Sequence, residues 1–164
     1  REAAARSRRN LVYTPQVVLD GRDVPAWRSQ TNFAAAVGAI DSTQAQADIR
    51  AGASLDAEAV RVKGRVAIPA ARRQAGDSAW IALYESGLVS HVGSGENGGR
   101  TLAHDFVVRA LLGPLRFGSD GVANLDHAIP AGSAWDRAKL GIAIFAQNAA
   151  TGSVLQAISA SSCF

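Results

Sequence analysis

The side chains best suited to chemistry gather around one glycine-rich stretch of this chain. Residues 93–98 read Gly-Ser-Gly-Glu-Asn-Gly, which matches the dinucleotide-binding pattern G-x-G-x-x-G. That pattern holds a pyrophosphate only when a strand precedes it and a helix N-terminus follows it. Residues 101–109 contain adjacent valines and a phenylalanine, which favour a strand. The stretch is therefore predicted to be a glycine-rich connection between strands rather than a nucleotide site.

The same stretch carries a predicted polar patch. Glu96, Asn97 and Arg100 bring a carboxylate, an amide and a guanidinium into one loop. Such a set can lock the loop by hydrogen bonds or bind an anion, and both uses stay open on the sequence alone. His104 and Arg109 follow closely along the chain and complete the patch.

His104 is the candidate general base, because Asp105 follows it directly. Residues 101–112 are predicted to form one strand, on which neighbouring side chains point to opposite faces. The two residues could not then bond as a base and its orienting acid, and His104 would lie on an apolar face as a structural histidine. His91 and His127 complete the three histidines, and their spacing shows no metal-ligand pattern. We expect neither a metal nor a cofactor.

Cys163 is the only cysteine, which excludes an internal disulfide and an all-cysteine zinc site. It could be a free thiol or the partner of a cysteine in another segment. Thiol–disulfide exchange needs an attacking and a resolving thiol, so we do not expect this chain alone to catalyse it. Since no serine lies in a nucleophile elbow, a hydrolase has little support, and no catalytic residue is assigned.

Composition narrows the class of protein further. The 164 residues are 48% hydrophobic and 19% charged, as expected for one ordinary domain or two small ones. No apolar run approaches the roughly 20 residues of a membrane-spanning helix. The net charge is only +3, and the basic residues 61–65 have no aromatic side chains between them, so nucleic-acid binding is not expected. Because the chain starts with arginine, we expect it to be a segment of a longer protein.

Several secondary-structure elements must position these residues. The first lies in residues 11–22, which are predicted to form a strand, a proline loop at Pro15, a second strand and an Asp-Gly turn. Thr31 is predicted to cap a helix over residues 32–42, whose apolar residues recur at spacings of 3, 4 and 7. That stripe comprises Phe33, Ala36, Val37 and Ile40.

Beyond the helix the hydrophobic period changes to two. Residues 60–68 alternate apolar with basic, which puts the valines on a buried face and Arg61, Lys63 and Arg65 toward water. Glycine-rich turns separate six or seven such strands without a strong helix between them, as is typical of an antiparallel β-sandwich. We place a boundary between residues 1–44 and 45–164.

Three stretches resemble a known family: residues 13–22 (YTPQVVLDGR), 95–109 (GENGGRTLAHDFVVR) and 152–157 (GSVLQA). In order and separation they are similar to the secreted bacterial family called domain of unknown function 1223, whose members have a thioredoxin-like fold. The resemblance implies an α+β protein. A partial thioredoxin-like layer, the strand after a cis-proline loop plus a helix, would be followed by an antiparallel β-sandwich-like region.

By this resemblance, Pro15 is cis and Tyr13, Thr14, Pro15 and Gln16 shape a groove against redox cysteines. The family's Cys-x-x-Cys segment has no counterpart in this chain. We therefore expect the family's N-terminal segment, or another protein, to cover the sheet that its absence exposes.

The leading hypothesis is the C-terminal portion of a periplasmic or secreted thioredoxin-like protein whose parent takes part in thiol–disulfide chemistry. The alternative is a non-catalytic β-sandwich accessory or interaction subunit of a larger assembly.

Overall fold

Alternation of apolar and polar residues builds most of this chain into antiparallel strands. The computed structural model describes residues 16–161, so Tyr13, Thr14, Pro15 and Cys163 lie outside the described residues. Within this range the chain forms, in order, β1 (Val18–Leu19), β2 (Arg22–Asp23), α1 (Gln30–Asp41), β3 (Asp48–Leu55), β4 (Ala59–Ala67), β5 (Asp77–Glu85), β6 (Leu88–His91), β7 (Thr101–His104), β8 (Val107–Arg116), β9 (Val122–Pro130), a 3-10 turn (Arg137–Lys139), β10 (Leu140–Asn148) and β11 (Val154–Ser161).

Two sheets enclose the core. One has the strand order β11-β10-β5-β8 and the other β3-β4-β9, and all their pairings are antiparallel. A single cluster of buried side chains joins the two sheets, with the valines of β4 on one side and the isoleucines and leucines of β5 and β10 on the other. The prediction of a β-rich α+β protein with antiparallel strands is confirmed, whereas the thioredoxin-like layer stays a prediction.

Strand β4 has the predicted alternation. Val60, Val62 and Val66 are fully buried, and the basic residues between them are exposed. Arg61 pairs with Asp56 at 2.6 Å, and Lys63 lies 3.9 Å from a carboxylate oxygen of Asp126. The basic stripe is thus a solvated sheet face with acidic neighbours.

The prediction of one continuous strand over residues 101–112 is wrong. The chain breaks at Asp105 and Phe106, where Phe106 takes a φ of 55°. The Asp105 carboxylate accepts a hydrogen bond from the Gly87 backbone N–H at 2.8 Å, and the Phe106 N–H donates to the Ser86 hydroxyl. These bonds turn the chain from a projecting hairpin, β6–β7, into β8 of the main sheet.

Helix α1 starts two residues earlier than predicted. Its N-cap is Ser29, whose hydroxyl accepts a hydrogen bond from the Asn32 N–H, so the predicted cap Thr31 is wrong. Phe33, Ala36 and Val37 of the predicted stripe are only half-buried, and no residue of α1 is fully buried. None of the helices within residues 16–161 is long and apolar enough to span a membrane.

The turn between β3 and β4 is built around one carboxylate. Asp56 accepts hydrogen bonds from the backbone N–H groups of Glu58 and Ala59 at 2.9 and 2.8 Å, and from Arg61 at 2.6 Å. The backbone donors, together with the arginine, lower the pKa of Asp56 from 3.8 to about 2, because all three favour the charged form.

This lowered pKa predicts a pH-dependent contribution to stability. The Asp56 carboxylate stabilises the fold above pH 3.8, and this contribution is lost as the pH falls toward 2. Asp56→Asn should therefore unfold at lower urea concentration than the wild type at pH 6, and the difference should shrink at pH 2. Asp126→Asn, which removes a long and exposed ion pair, serves as the control and should show no such difference. If the difference in unfolding midpoint between Asp56→Asn and the wild type were the same at both pH values, this role of the Asp56 carboxylate would be contradicted.

Candidate functional site

Two of the three stretches that carry the family resemblance contact each other. Asp20 and Gly21 form a tight turn between β1 and β2, with φ values of 46° and 74°. The Asp20 carboxylate accepts a hydrogen bond from the Val154 backbone N–H. A Cβ atom on Gly21 would lie 2.4 Å from the carbonyl carbon of Gly152, so only glycine fits there. The N-terminal hairpin is thereby fixed to the start of β11.

A buried asparagine shapes the receiving turn. The Asn148 amide donates to Asp77 at 2.7 Å and to the Ala75 carbonyl at 3.1 Å. Its oxygen accepts from the backbone N–H groups of Ala150 and Thr151. Sequence reasoning missed Asn148, because asparagine in a turn is ordinary and only the tertiary structure shows that this one is buried.

Of the four residues predicted to form the groove, Gln16 lies within the part of the chain that the structure describes. Gln16 is half-buried, and its side-chain Nε2 is buried without a hydrogen-bond partner. A buried donor left unpaired costs about 1–3 kcal/mol, so this atom is suited to an acceptor supplied from elsewhere. Tyr13, Thr14 and Pro15, and with them the predicted cis bond, lie outside the described residues, so the groove stays a prediction.

The glycine-rich stretch connects β6 to β7. Backbone hydrogen bonds between Val92 and Arg100 and between Gly99 and Val92 extend the hairpin toward its tip. A strand follows the loop, so the helix N-terminus that a dinucleotide site requires is absent here, as predicted. Glu96 and Asn97 are exposed at the tip beside Arg100, whose N–H donates to the Asn97 carbonyl.

His104 lies in the same hairpin, but on strand β7 rather than in the loop at its tip. Its Nε2 is 2.7 Å from the Ser90 hydroxyl on the facing strand, and His91 makes a similar contact with Thr101 at 3.0 Å. His104 and Asp105 do not bond to each other, because Asp105 is occupied by the Gly87 N–H. The apolar strand face expected for His104 does not continue beyond it, since the strand ends at His104 and residues 106–108 belong to a separate element.

Arg109 belongs to the main sheet. Its Nε donates to Glu85 Oε2 at 2.8 Å, and the Asp136 backbone N–H donates to Glu85 Oε1 at 3.0 Å. Glu85 is only 1% exposed, whereas Arg109 lies at the surface, so this ion pair joins a buried carboxylate to a partly exposed guanidinium. The five residues of the predicted patch therefore lie in three places: loop tip, hairpin and main sheet. Alternation along β5 puts Glu85 on the same face as Ile81 and Leu83. This pattern in the sequence could have predicted that Glu85 is buried.

The four-stranded sheet has an apolar outer face. We define this outer face by Trp80, Ala82, Tyr84, Val108, Leu111 and Phe145, with the adjoining Phe106. Trp80 stacks on Phe145 with ring centroids 6.4 Å apart, and Tyr84 contacts Phe106 at 5.3 Å. Phe106 is 70% exposed, and Val108 and Leu111 are each 56% exposed. Ala82 and Tyr84 are buried by their neighbours, so the exposed part of the outer face lies at Phe106, Val108 and Leu111.

The fold and this surface define a two-sheet antiparallel β protein with a partly exposed apolar outer face. The chain belongs to the family described as protein of unknown function (DUF1223), whose model matches residues 1–147. This finding confirms the resemblance drawn from the sequence motifs. No curated protein matches the chain significantly.

Among solved structures, the chain is similar to HBP35 of Porphyromonas gingivalis. The TM-score is 0.60 at 14% sequence identity, over 80% of this chain and 45% of that one. At this identity the likeness concerns the fold alone. The present chain spans less than half the length of the protein it matches.

The contact between Gly21 and Gly152 predicts a position-specific effect of alanine. Gly21→Ala should destabilise the protein by more than about 1 kcal/mol, because a positive φ and a backbone clash coincide there. Gly38→Ala is the matched control: it lies in α1 with no atom within 4 Å of its added Cβ, and should stabilise by about 0.5–1 kcal/mol. Urea unfolding measures both, and equal effects of the two substitutions would refute the anchoring role of the turn.

The ion pair between Arg109 and Glu85 predicts that Arg109 supports stability. Arg109→Met should destabilise by about 1–3 kcal/mol, because it removes a hydrogen-bond donor from a buried carboxylate. The double variant Glu85→Gln/Arg109→Met should recover much of this loss, since glutamine keeps an acceptor for the Asp136 N–H. The free energy of unfolding from urea titration tests this coupling. Additive losses in the double variant would contradict it.

Proposed function

We propose that this chain is a non-catalytic β-sandwich module whose outer face packs against the thioredoxin-like domain that the family resemblance implies. The observation that carries the proposal is the exposure of Phe106, Val108 and Leu111 beside the stacked Trp80 and Phe145. Contiguous exposed apolar side chains of this kind mark interaction surfaces.

The composition of β5 supports a covered outer face. Its residues 79–84 (AWIALY) are apolar at every position, so both faces of the strand are apolar. Sheets that face water on one side show an alternation of apolar and polar residues, whereas sheets covered on both sides have nearly continuous apolar strands. Strand β5 is of the second kind. The three-stranded sheet covers its inner side, and Ala82 and Tyr84 on its outer side are already buried by neighbouring side chains, so the part of the outer face left for a partner lies mainly on β8.

The position of the N-terminal hairpin supports the choice of partner. Asp20 bonds to β11, which is one edge of the four-stranded sheet, while Val108 and Leu111 lie on β8 at the other edge. Four strands at the usual spacing of about 4.8 Å span roughly 14 Å. A domain that joins the chain beside β11 can therefore reach β8.

Helix α1 supports the same arrangement. The apolar stripe formed by Phe33, Ala36 and Val37 is only half-buried, although it has the periodicity of a core-facing helix. We assign residues 1–44, which include this helix, to the thioredoxin-like side and residues 45–164 to the sandwich. One partner would cover both the stripe and the outer face.

In this proposal thiol–disulfide chemistry belongs to the parent protein. Thr14 and Pro15 would shape the groove beside its cysteines, and Gln16 would offer its unpartnered Nε2 there. Cys163 would be available to pair with another thiol. A periplasmic or secreted location agrees with such chemistry and with the family resemblance.

A binding experiment with a charge introduced into the outer face tests the proposal. The thioredoxin-like domain of a longer family member, its fold verified by circular dichroism, is titrated into this chain by isothermal titration calorimetry. Leu111→Lys places a charge in the outer face and should weaken association at least tenfold, because the charge must be desolvated. Val89→Lys is the matched control, since Val89 is 61% exposed but lies on the β6–β7 hairpin.

Three outcomes would overturn this function. Association unaffected by Leu111→Lys would place the partner elsewhere. Self-association of the chain through the outer face, detected by analytical ultracentrifugation and abolished by the same substitution, would make a second copy the occupant. Absence of any association with the thioredoxin-like domain would favour an accessory subunit of a different assembly.

A further inference from the structure

We propose that a cavity at the β10–β11 turn end of the sandwich binds a small organic carboxylate with an apolar body. The cavity has a volume of about 720 Å³ and lies between residues 73–78, Pro114, residues 116–119 and Ala149. Ligand sites of proteins have volumes of about 300–1,000 Å³, so this one has the size for a small molecule. The inference goes beyond the proposed docking function and does not depend on it.

The walls of the cavity are held by hydrogen bonds within the protein. Arg73 reaches across to donate to the carbonyls of Gly118 and Ser119 at 2.8 and 3.0 Å. On the other side, the Ala149 N–H donates to the Gly76 carbonyl at 2.9 Å. Both loops are therefore tied to their neighbours before any ligand arrives, which lowers the entropic cost of binding.

The charges of the lining favour an anion. Arg116 is exposed at the cavity, and no described residue makes a hydrogen bond or an ion pair with its guanidinium. Asp77 is the acidic residue of the lining, and its two oxygens accept hydrogen bonds from the Gln74 N–H and the Asn148 amide. The cavity thus presents an unused guanidinium, while its own carboxylate is already engaged by neutral donors. A guanidinium binds a carboxylate through paired hydrogen bonds.

The remaining lining selects the body of the ligand. Pro114 and the half-buried Phe117 offer apolar surface next to Arg116, and Ala149 faces them from the turn. An apolar group would replace water against these side chains while its carboxylate meets Arg116. A planar aromatic carboxylate meets both requirements, whereas inorganic phosphate meets only the charge requirement.

A titration followed by NMR tests this site. We would add 2-naphthoate to the 15N-labelled chain and record amide shifts, with the uncharged 2-naphthamide and inorganic phosphate as comparison probes. We expect saturable shifts at Gly76, Ser78 and Phe117 with 2-naphthoate. Arg116→Gln should weaken this binding about tenfold, and Arg116→Lys should weaken it less, because lysine keeps the charge but loses the paired geometry.

Arg65→Gln is the matched control, since Arg65 is an exposed arginine of β4 outside the cavity. It should leave binding unchanged. Equal binding by Arg116→Gln and wild type would overturn the proposal, as would equal affinity for 2-naphthamide or for phosphate. Absence of saturable shifts at the cavity would overturn it too. Because Arg116 bonds to no described residue, its variants should stay folded, and their amide spectra verify this directly.

Discussion

Strand β5 is apolar on both faces, and the rest of the structure depends on how those two faces are covered. Its inner side chains, Ile81 and Leu83, are fully buried against the valines of β4. Its outer side chains include Trp80 and Tyr84, which recruit Phe145 and Phe106 as aromatic neighbours. One strand therefore contributes one face to the core and the other to the apolar outer face of the sheet, because removal of apolar area from water is favourable on either side.

The ends of β5 carry the polar chemistry of the sandwich. Glu85 closes one end, where Arg109 and the Asp136 N–H satisfy its buried carboxylate. Asp77 opens the other end, where it bonds to Asn148 beside the cavity. Both donors to the buried Glu85 come from distant parts of the chain, whereas the half-buried Asp77 accepts from the nearby Gln74 N–H as well as from the distant Asn148. Burial of a charge is tolerated when such donors satisfy it, and so these contacts help to fix β8 and the β10–β11 turn.

The family motifs have a structural meaning in this arrangement. The Asp-Gly turn of the N-terminal stretch and the Gly-Ser-Val stretch before β11 contact each other, and each requires the other's shape. The third motif spans the tip of the β6–β7 hairpin and the entry into β8. It contains Arg109, the partner of the buried Glu85, as well as the exposed loop residues. In this chain, the residues of these motifs therefore join separate segments of the fold.

The sequence by itself determined the elements whose signals are local. Alternation predicted β4 with its buried valines, and Asp20-Gly21 predicted a tight turn, because a two-residue period and a positive φ depend on neighbouring residues alone. The glycine-rich loop and the family followed from motifs of adjacent residues. Only the tertiary structure decided that Asp105 and Phe106 interrupt a strand and that Arg109 pairs with Glu85. Each of these depends on hydrogen bonds whose geometry, often between residues far apart in sequence, forms only when the chain folds, and no periodicity in the sequence records them.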